Sequence, residues 1–329
     1  MKKVILSLII LTAFTAVLYG QEEFEPIQAG AANFLTIPTN ASSAAMGGTG
    51  VAVENNDQAI FYNGATTLLN DSRKGGITYN FTPWMRDYES GYSLNSVAGF
   101  YKIDKRNALL AGFRYYNYPK VNYKTQETNP TKNIHPKEFA VDLGYARELY
   151  SNLALSATLR YIHSDMGNIG DAKSANAIAF DIGAFYKKEM RFLQDANWGL
   201  GIQFAHIGSK IKYLDTKEHI PTLAKFGGSV YLPFSNIHKL MATTDLGYRF
   251  TPSDVSSINV SVGAEYTLLN HFMLRGGYHY GDKEKADESY GTAGLGVKCQ
   301  GAHLDFSWLF AESESPLKNT FWISLGYLF

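Results

Sequence analysis

The chain is 329 residues long; 30 basic residues balance 30 acidic ones, and it holds 30 glycines, 22 tyrosines, 20 phenylalanines and one cysteine, Cys299. The charge balance excludes the basic stripe of a nucleic-acid binder, and the lone cysteine excludes an internal disulfide framework. Abundant aromatic residues and glycine favour strands and turns over helices.

Met1-Lys2-Lys3 and the apolar run from Val4 to Phe14 are the basic and apolar regions of a secretory signal. Residues 1–20 read as a signal peptide, with cleavage after Gly20 leaving Gln21 first and no cysteine there to carry a lipid. The alternative, an uncleaved transmembrane anchor, suffers from the shortness of the apolar run. Residues 21–70 are rich in small residues and show no strand pattern. Within them Gly47, Gly48 and Gly50 raise the question of a phosphate-cradling loop. No Gly-Lys-Ser/Thr follows, Pro38 interrupts the stretch before them, and Asn55-Asn56-Asp57 stands where a helix should continue, so no nucleotide site is expected.

After Gly75 the period is two. Leu153, Leu155, Ala157, Leu159 and Tyr161 alternate with Ala154, Ser156, Thr158 and Arg160, and Ile258 to Leu268 behave likewise. Strands are expected near 75–83, 93–103, 108–117, 138–148, 152–163, 176–188, 197–207, 223–232, 239–250, 257–268, 271–280, 290–299, 302–310 and 320–329. About 14 strands, an even number, suit a closed antiparallel transmembrane β-barrel, although alternation alone also fits a soluble sandwich.

The connections favour the barrel. Those at 104–107, 150–151, 269–270 and 300–301 are tight, whereas 118–137, 164–175, 208–222, 281–289 and 311–319 are long and polar. Outer-membrane barrels sort short periplasmic turns from long external loops in this way, which puts both termini on the periplasmic side. Aromatics gather at strand ends (Tyr115, Tyr116, Tyr118; Tyr278, Tyr280; Trp308, Phe310), where an interfacial girdle would want them. The last strand sets Phe321, Ile323, Leu325, Tyr327 and Phe329 on one face and ends on an aromatic, similar to the C-terminal signature of outer-membrane barrels.

Catalytic and metal motifs are missing: the histidines are scattered, no Gly-x-Ser-x-Gly occurs, and His163-Ser164-Asp165 are adjacent residues rather than an assembled triad. No enzyme activity, cofactor or metal is expected. The charges say more. Asp142, Arg160, Asp181, Asp245, Arg249, Glu265, Arg275 and Asp305 all fall opposite the apolar stripe, facing a lumen. They either pair and fill it or line a solute path.

With this architecture in view, Phe34-Leu35-Thr36-Ile37-Pro38, the run Ala41 to Val53 and Asn56-Asp57-Gln58-Ala59-Ile60-Phe61-Tyr62-Asn63 resemble the N-terminal segment of FadL-like barrels, and more closely their PorV/PorQ branch. Further matches are Phe81-Thr82-Pro83-Trp84, Ile207 to Tyr213 with His219-Ile220-Pro221-Thr222, and Arg275-Gly276-Gly277-Tyr278. The resemblance implies an all-β, 14-stranded, multi-pass outer-membrane barrel over 71–329, with residues 21–70 as a hatch in the lumen. Gly47, Gly48 and Gly50 would then let backbone pass through a crowded bore. Asn63-Gly64-Ala65 departs from the family's usual Asn-Pro-Ala, which loosens the turn entering the barrel.

The resemblance also implies partners: a SprA-type translocon of the type IX secretion system, secreted cargo with C-terminal signal domains, and an attachment protease, all beside outer-membrane lipid. The alternative is a FadL-like transporter of hydrophobic small molecules; a structural relative without cargo is a third reading. Tyr123, Tyr213 and Ile220, raised on polar loops, would make a partner-contact patch, or else are incidental members of solvated loops.

Overall fold

The computed structural model describes residues 30–54, 56–69, 73–123, 132–167, 174–213 and 216–329; the expected signal peptide and its cleavage point lie outside them. Segments that alternate apolar with polar side chains need two different environments, and a closed antiparallel barrel in lipid supplies both. The fourteen barrel strands are β1 (Gly75–Pro83), β2 (Ser93–Lys102), β3 (Asn107–Asn117), β4 (Lys137–Tyr150), β5 (Leu153–Asp165), β6 (Ala175–Glu189), β7 (Asn197–Gly208), β8 (Leu223–Pro233), β9 (His238–Arg249), β10 (Ser257–Leu268), β11 (Phe272–Tyr280), β12 (Tyr290–Cys299), β13 (Ala302–Phe310) and β14 (Phe321–Leu328). Each pairs with its sequence neighbours, and β1 closes the ring on β14 from Gly76↔Leu328 to Phe81↔Ile323. The expected strand ranges agree with these to within two residues at either end.

The two faces of the wall differ as the alternation requires. Ile77, Leu143, Leu159, Ile178 and Leu325 point outward with 53–62 % exposure, while Thr78, Asp142, Arg160, Ala179 and Ser324, one residue along each strand, are at most 1 % exposed. A soluble sandwich would bury the first set. Here the outer wall is the apolar one, so the sandwich is set aside.

One end of the ring carries the short connections and the last residue, Phe329, whose carbonyl accepts from the amides of Lys74 (2.7 Å) and Gly75 (2.9 Å). At this turn end, Gln300 (φ 49°) and Gly301 (φ 94°) form a two-residue turn whose left-handed backbone matches the twist of β12 and β13. The opposite, loop end carries the long connections. Sorting has one exception: 190–196 at the turn end is as long as 250–256 at the loop end. Two loop-end connections contain short hairpins, Val121–Tyr123 with Lys132–Ile134 and Ile211–Tyr213 with Thr216–Glu218. Three-residue strands are too short to carry a period, so the sequence did not announce them.

Residues 30–54 and 56–69 lie inside the ring, packed on its inner wall. They include a 3-10 turn (Asn33–Thr36), the short helix α1 (Ala41–Ala45) capped by the Asn40 side chain on Ser43 N (2.8 Å), and two more 3-10 turns at Ala59–Phe61 and Gly64–Thr67. The segment begins at the loop end, where Ala31 N donates to His219 O (3.2 Å), and leaves at the turn end into β1. Of the two ends expected at the turn end, Phe329 is there; the N-terminal end lies outside the described residues, the first of which stand at the loop end. The segment is a lengthwise filling of the bore.

Candidate functional site

Wall and segment are shaped to each other. A Cβ on Gly277 would lie 2.2 Å from the carbonyl carbon of Met46, one on Gly263 would lie 2.4 Å from Met46 Cβ, and one on Gly201 would lie 2.2 Å from Val51 O. Inward-facing glycines thus thin the wall where the segment presses on it. On the segment side, Gly47 (φ 71°) and Gly48 (φ 83°) take the left-handed turn that ends α1, while Gly50 leaves room for the Tyr62 ring, 2.3 Å from where its Cβ would stand. Polar groups then pin the contact. Gly47 N donates to Thr292 Oγ1 (3.0 Å), and Asp245 Oδ2 accepts from Gly50 N (2.8 Å) and Val51 N (3.2 Å).

Asn63 holds the exit. Its Nδ2 donates to Val51 O and Ala184 O, both at 2.9 Å, and its Oδ1 accepts from Ala65 N (3.2 Å). The turn that Asn63-Gly64-Ala65 was expected to loosen is therefore fixed by side-chain bonds in place of a proline ring. Gly64 is also tightly enclosed, with Ser156 Cβ and Leu110 Cδ2 3.2 and 3.3 Å from its Cβ position.

The inward charges form compact networks. Arg160 Nε donates to Asp142 (2.5 Å) and its terminal nitrogens donate to Asp181 (3.0 and 2.8 Å), all three being buried. Arg114 joins at 3.5 Å from Asp142, donates to Leu35 O (3.2 Å) and lies 4.5 Å over the Phe61 ring, so this network also grips the segment. On the opposite side Arg275 bridges Glu265 (2.7 Å) and Asp305 (2.6 Å). His303 Nε2 stands 3.3 Å from Asp57 of the segment, which also accepts from the Thr78 hydroxyl. Each of Arg160 and Arg275 has two acids, which is what a buried cation needs to avoid an uncompensated charge.

Of the lumen charges expected from sequence, Asp142, Arg160 and Asp181 fall into the first network and Glu265, Arg275 and Asp305 into the second. Asp245 anchors the segment, and Arg249 stands apart from both. Arg114 went unread although it continues the inward series Ala108, Leu110, Gly112. Asp57, His303 and the pair Glu54–Lys187 (2.8 Å) were also missed, because their partners are distant in sequence.

The loop end is capped by packing. Phe34, Leu35 and Ile37 meet Leu94, Tyr116, Ile162, Ile211 and Ile220 in one buried cluster. Tyr118 donates to Glu138 Oε2 (2.6 Å), and Ser164 Oγ lies 2.6 Å from the Tyr213 hydroxyl.

A profile described as "Type IX secretion system protein PorV" matches residues 21–255, the lumenal segment and β1 to β9 included. The chain belongs to the PorV family. Solved structures similar to this PorV-family barrel include the Ralstonia pickettii toluene transporter TbuX (TM-score 0.59, 16 % identity, covering 90 % of this chain and 99 % of that one). The Pseudomonas putida toluene transporter TodX (0.60, 12 %, 88 % and 98 %) and a Pseudomonas aeruginosa FadL homologue (0.54, 12 %, 89 % and 99 %) are also similar. At such identities the likeness shows the fold alone, a FadL-like outer-membrane barrel. No curated protein sequence matches the chain.

Of the expected loop-end contact patch, Ile220 is corrected. Ile220 is only 2 % exposed and packs under the cap, because Pro221 turns it inward to cover Ile211 and the start of the segment. Tyr213 is half-buried against the same cluster, and Tyr123 ends the first hairpin strand. What the second hairpin offers outward is charge: Lys210, Lys212 and Lys217 are exposed. The aromatic girdle also divides. Tyr278, Tyr280 and Phe310 face outward at 47–60 % exposure, whereas Tyr116 is 5 % exposed inside the cap. His163, Ser164 and Asp165 end β5 on separate errands: His163 pairs with Asn176 (2.7 Å), Ser164 with Tyr213, and Asp165 caps Gly167 N (3.0 Å).

Proposed function

We propose that the chain is a type IX secretion component that presents its loop end to a SprA-type translocon and to cargo bearing C-terminal signal domains, handing cargo to an attachment protease. Residues 30–69 act in this reading as a hatch that stays in place. The observation that supports it is the family match, together with a lumenal segment bonded to the wall, since a PorV-family barrel whose bore is occupied in this way has its loop end and outer wall left to work with. Exposed lysines around a packed cap can steer a partner of complementary charge and offer nothing to an apolar solute.

The second reading, a transporter of hydrophobic small molecules, draws on the fold likeness to the toluene transporters and requires the segment to move aside. One experiment separates the two. Reversing Lys210, Lys212 and Lys217 to glutamate is expected to leave barrel assembly intact, to remove translocon and cargo from material co-purified out of detergent-solubilised outer membranes, and to leave cargo in the periplasm. Normal export together with impaired uptake of a hydrophobic solute would instead assign the barrel to transport.

A further inference from the structure

The outward series of β4, β5 and β6 is made of large side chains broken by two alanines, Ala157 and Ala184. Leu143, Tyr145, Leu159 and Phe180, all pointing outward, stand around Ala157 and leave a shallow depression of about 380 Å³ over it. Strand register places Ala157 between Tyr145 and Ile182. Two residues nearer the turn end, about 7 Å along the strands, Leu155 lies between Arg147 and Ala184 in the same outward series. Arg147 therefore stands at the turn-end mouth of the depression.

Arg147 is exposed, and among the described residues it forms no ion pair. Its neighbour Glu148 falls on the bore-facing series, and in the adjoining turn Asp104 accepts from Arg106 N (2.7 Å) and Asn107 Nδ2 (2.9 and 2.8 Å). Lys188 ends the outward series of β6 in the same state, exposed and opposite Trp198, whose ring lies 5.5 Å from that of Tyr186. Aromatic rings at the end of an apolar wall mark the headgroup level of a bilayer. The other half of the turn end differs: 234–237, 269–271 and 300–301 hold no Asp, Glu, Lys or Arg, and Lys239 and Lys298 beside them lie on bore-facing series. Outward cations at headgroup level thus gather on the side that carries the depression.

We infer that this face of the wall binds an anionic phospholipid, with its phosphate at Arg147 and Lys188 and one acyl chain laid over Ala157. Arginine receives a phosphate through paired N–H groups and lysine as a point charge, and a headgroup without an ammonium of its own leaves both contacts uncontested. Lys188 lies six residues past Ile182, roughly 20 Å along β6, so it meets the headgroup at the edge of the water while the chain lies farther up the wall. Tyr145 and Phe180 flank that chain as aromatic walls, and Ala157 is its floor.

Native mass spectrometry of the delipidated mature protein in detergent, titrated with dioleoylphosphatidylglycerol or dioleoylphosphatidylcholine, tests the site. One phosphatidylglycerol adduct is expected, at least about fivefold tighter than any phosphatidylcholine adduct. Arg147→Gln and Ala157→Phe should each weaken it at least about fivefold, the first by removing phosphate donors and the second by filling the groove with every cation in place. Lys188→Gln should weaken it at least about twofold, and Lys318→Gln, an equal loss of charge at the loop end, should leave it unchanged. Heat-modifiable gel migration like that of the wild type shows that each variant is folded. Phosphatidylglycerol binding untouched by Arg147→Gln or by Ala157→Phe, or weakened as much by Lys318→Gln, overturns the inference. Equal retention of the two lipids also overturns it and leaves the cations to an acidic protein at the turn end.

Discussion

Arg160 carries most of the first lumen network, because both Asp142 and Asp181 depend on it. Changing Arg160 to Met removes the cation bonded to both buried carboxylates and leaves Asp142 only Arg114 at 3.5 Å and Asp181 only the His206 amide (2.7 Å), a loss expected to cost about 3–5 kcal/mol. The midpoint of heat- or urea-induced unfolding in detergent measures it, and a change under about 1 kcal/mol would mean that water reaches the network. Asp287, in a loop outside the wall, gives a pH signature. Burial alone would raise its carboxyl, but the His279 imidazole, the Asn259 amide and the Arg249 charge outweigh burial and hold it below the ordinary value of 3.8. A carboxyl held low in the folded state contributes stability that is present above the unfolded value and is lost as pH falls through the folded one. The protection factor for amide exchange across 281–289, the observed rate taken relative to the intrinsic rate at each pH, should thus be flat from neutral pH to about pH 5 and fall below about pH 4; Asp287→Asn should abolish that acid limb. Such residues were legible only by face. Alternation announced that Asp142, Arg160 and Arg275 look inward, yet which acid meets which base depends on register between strands, and nothing in one strand's sequence states that. Ile220 shows the converse, an apolar residue on a polar loop that the chain's own segment covers.

At the scale of elements, the fit between segment and wall rests on strand glycines rather than on bonds alone. Gly277→Val would drive a side chain into Met46 and Gly47, and Gly263→Leu would do so from the next strand. Each is expected to expel α1 from its seat while β10 and β11 keep their pairing, seen as a rise in single-channel conductance in planar bilayers. Gly228→Ala is the control, because its Cβ position meets only Leu200 and Thr244 side chains at 3.8 Å. An unchanged conductance in both variants would locate the seal elsewhere along the bore. The strands were legible because each repeats a two-residue period over eight or more residues. The segment was not: its short helical turns owe their form to the cavity around them, and only its small residues hinted at confinement.

Across the whole molecule, the outward apolar wall and the family together describe an outer-membrane barrel, and the sorting of its connections leads us to expect the loop end on the cell exterior. Cysteines placed at 122 and 285 should react with an impermeant maleimide on intact cells, and one at 105 only after the outer membrane is breached; the reverse pattern would invert the orientation. Cys299, exposed at the turn end, is first replaced by serine so that it does not report.

The route of residues 30–69 from the loop end to β1 also fixes an order of events. The seam of the ring joins β1 to β14, the first and last strands of the wall, and in the folded barrel it closes around a length of the same chain. A ring closed empty could be filled afterwards only by drawing a free end down a bore whose side chains already touch. Threading is therefore expected to precede closure, and whatever completes the seam would also decide, once, what the bore holds.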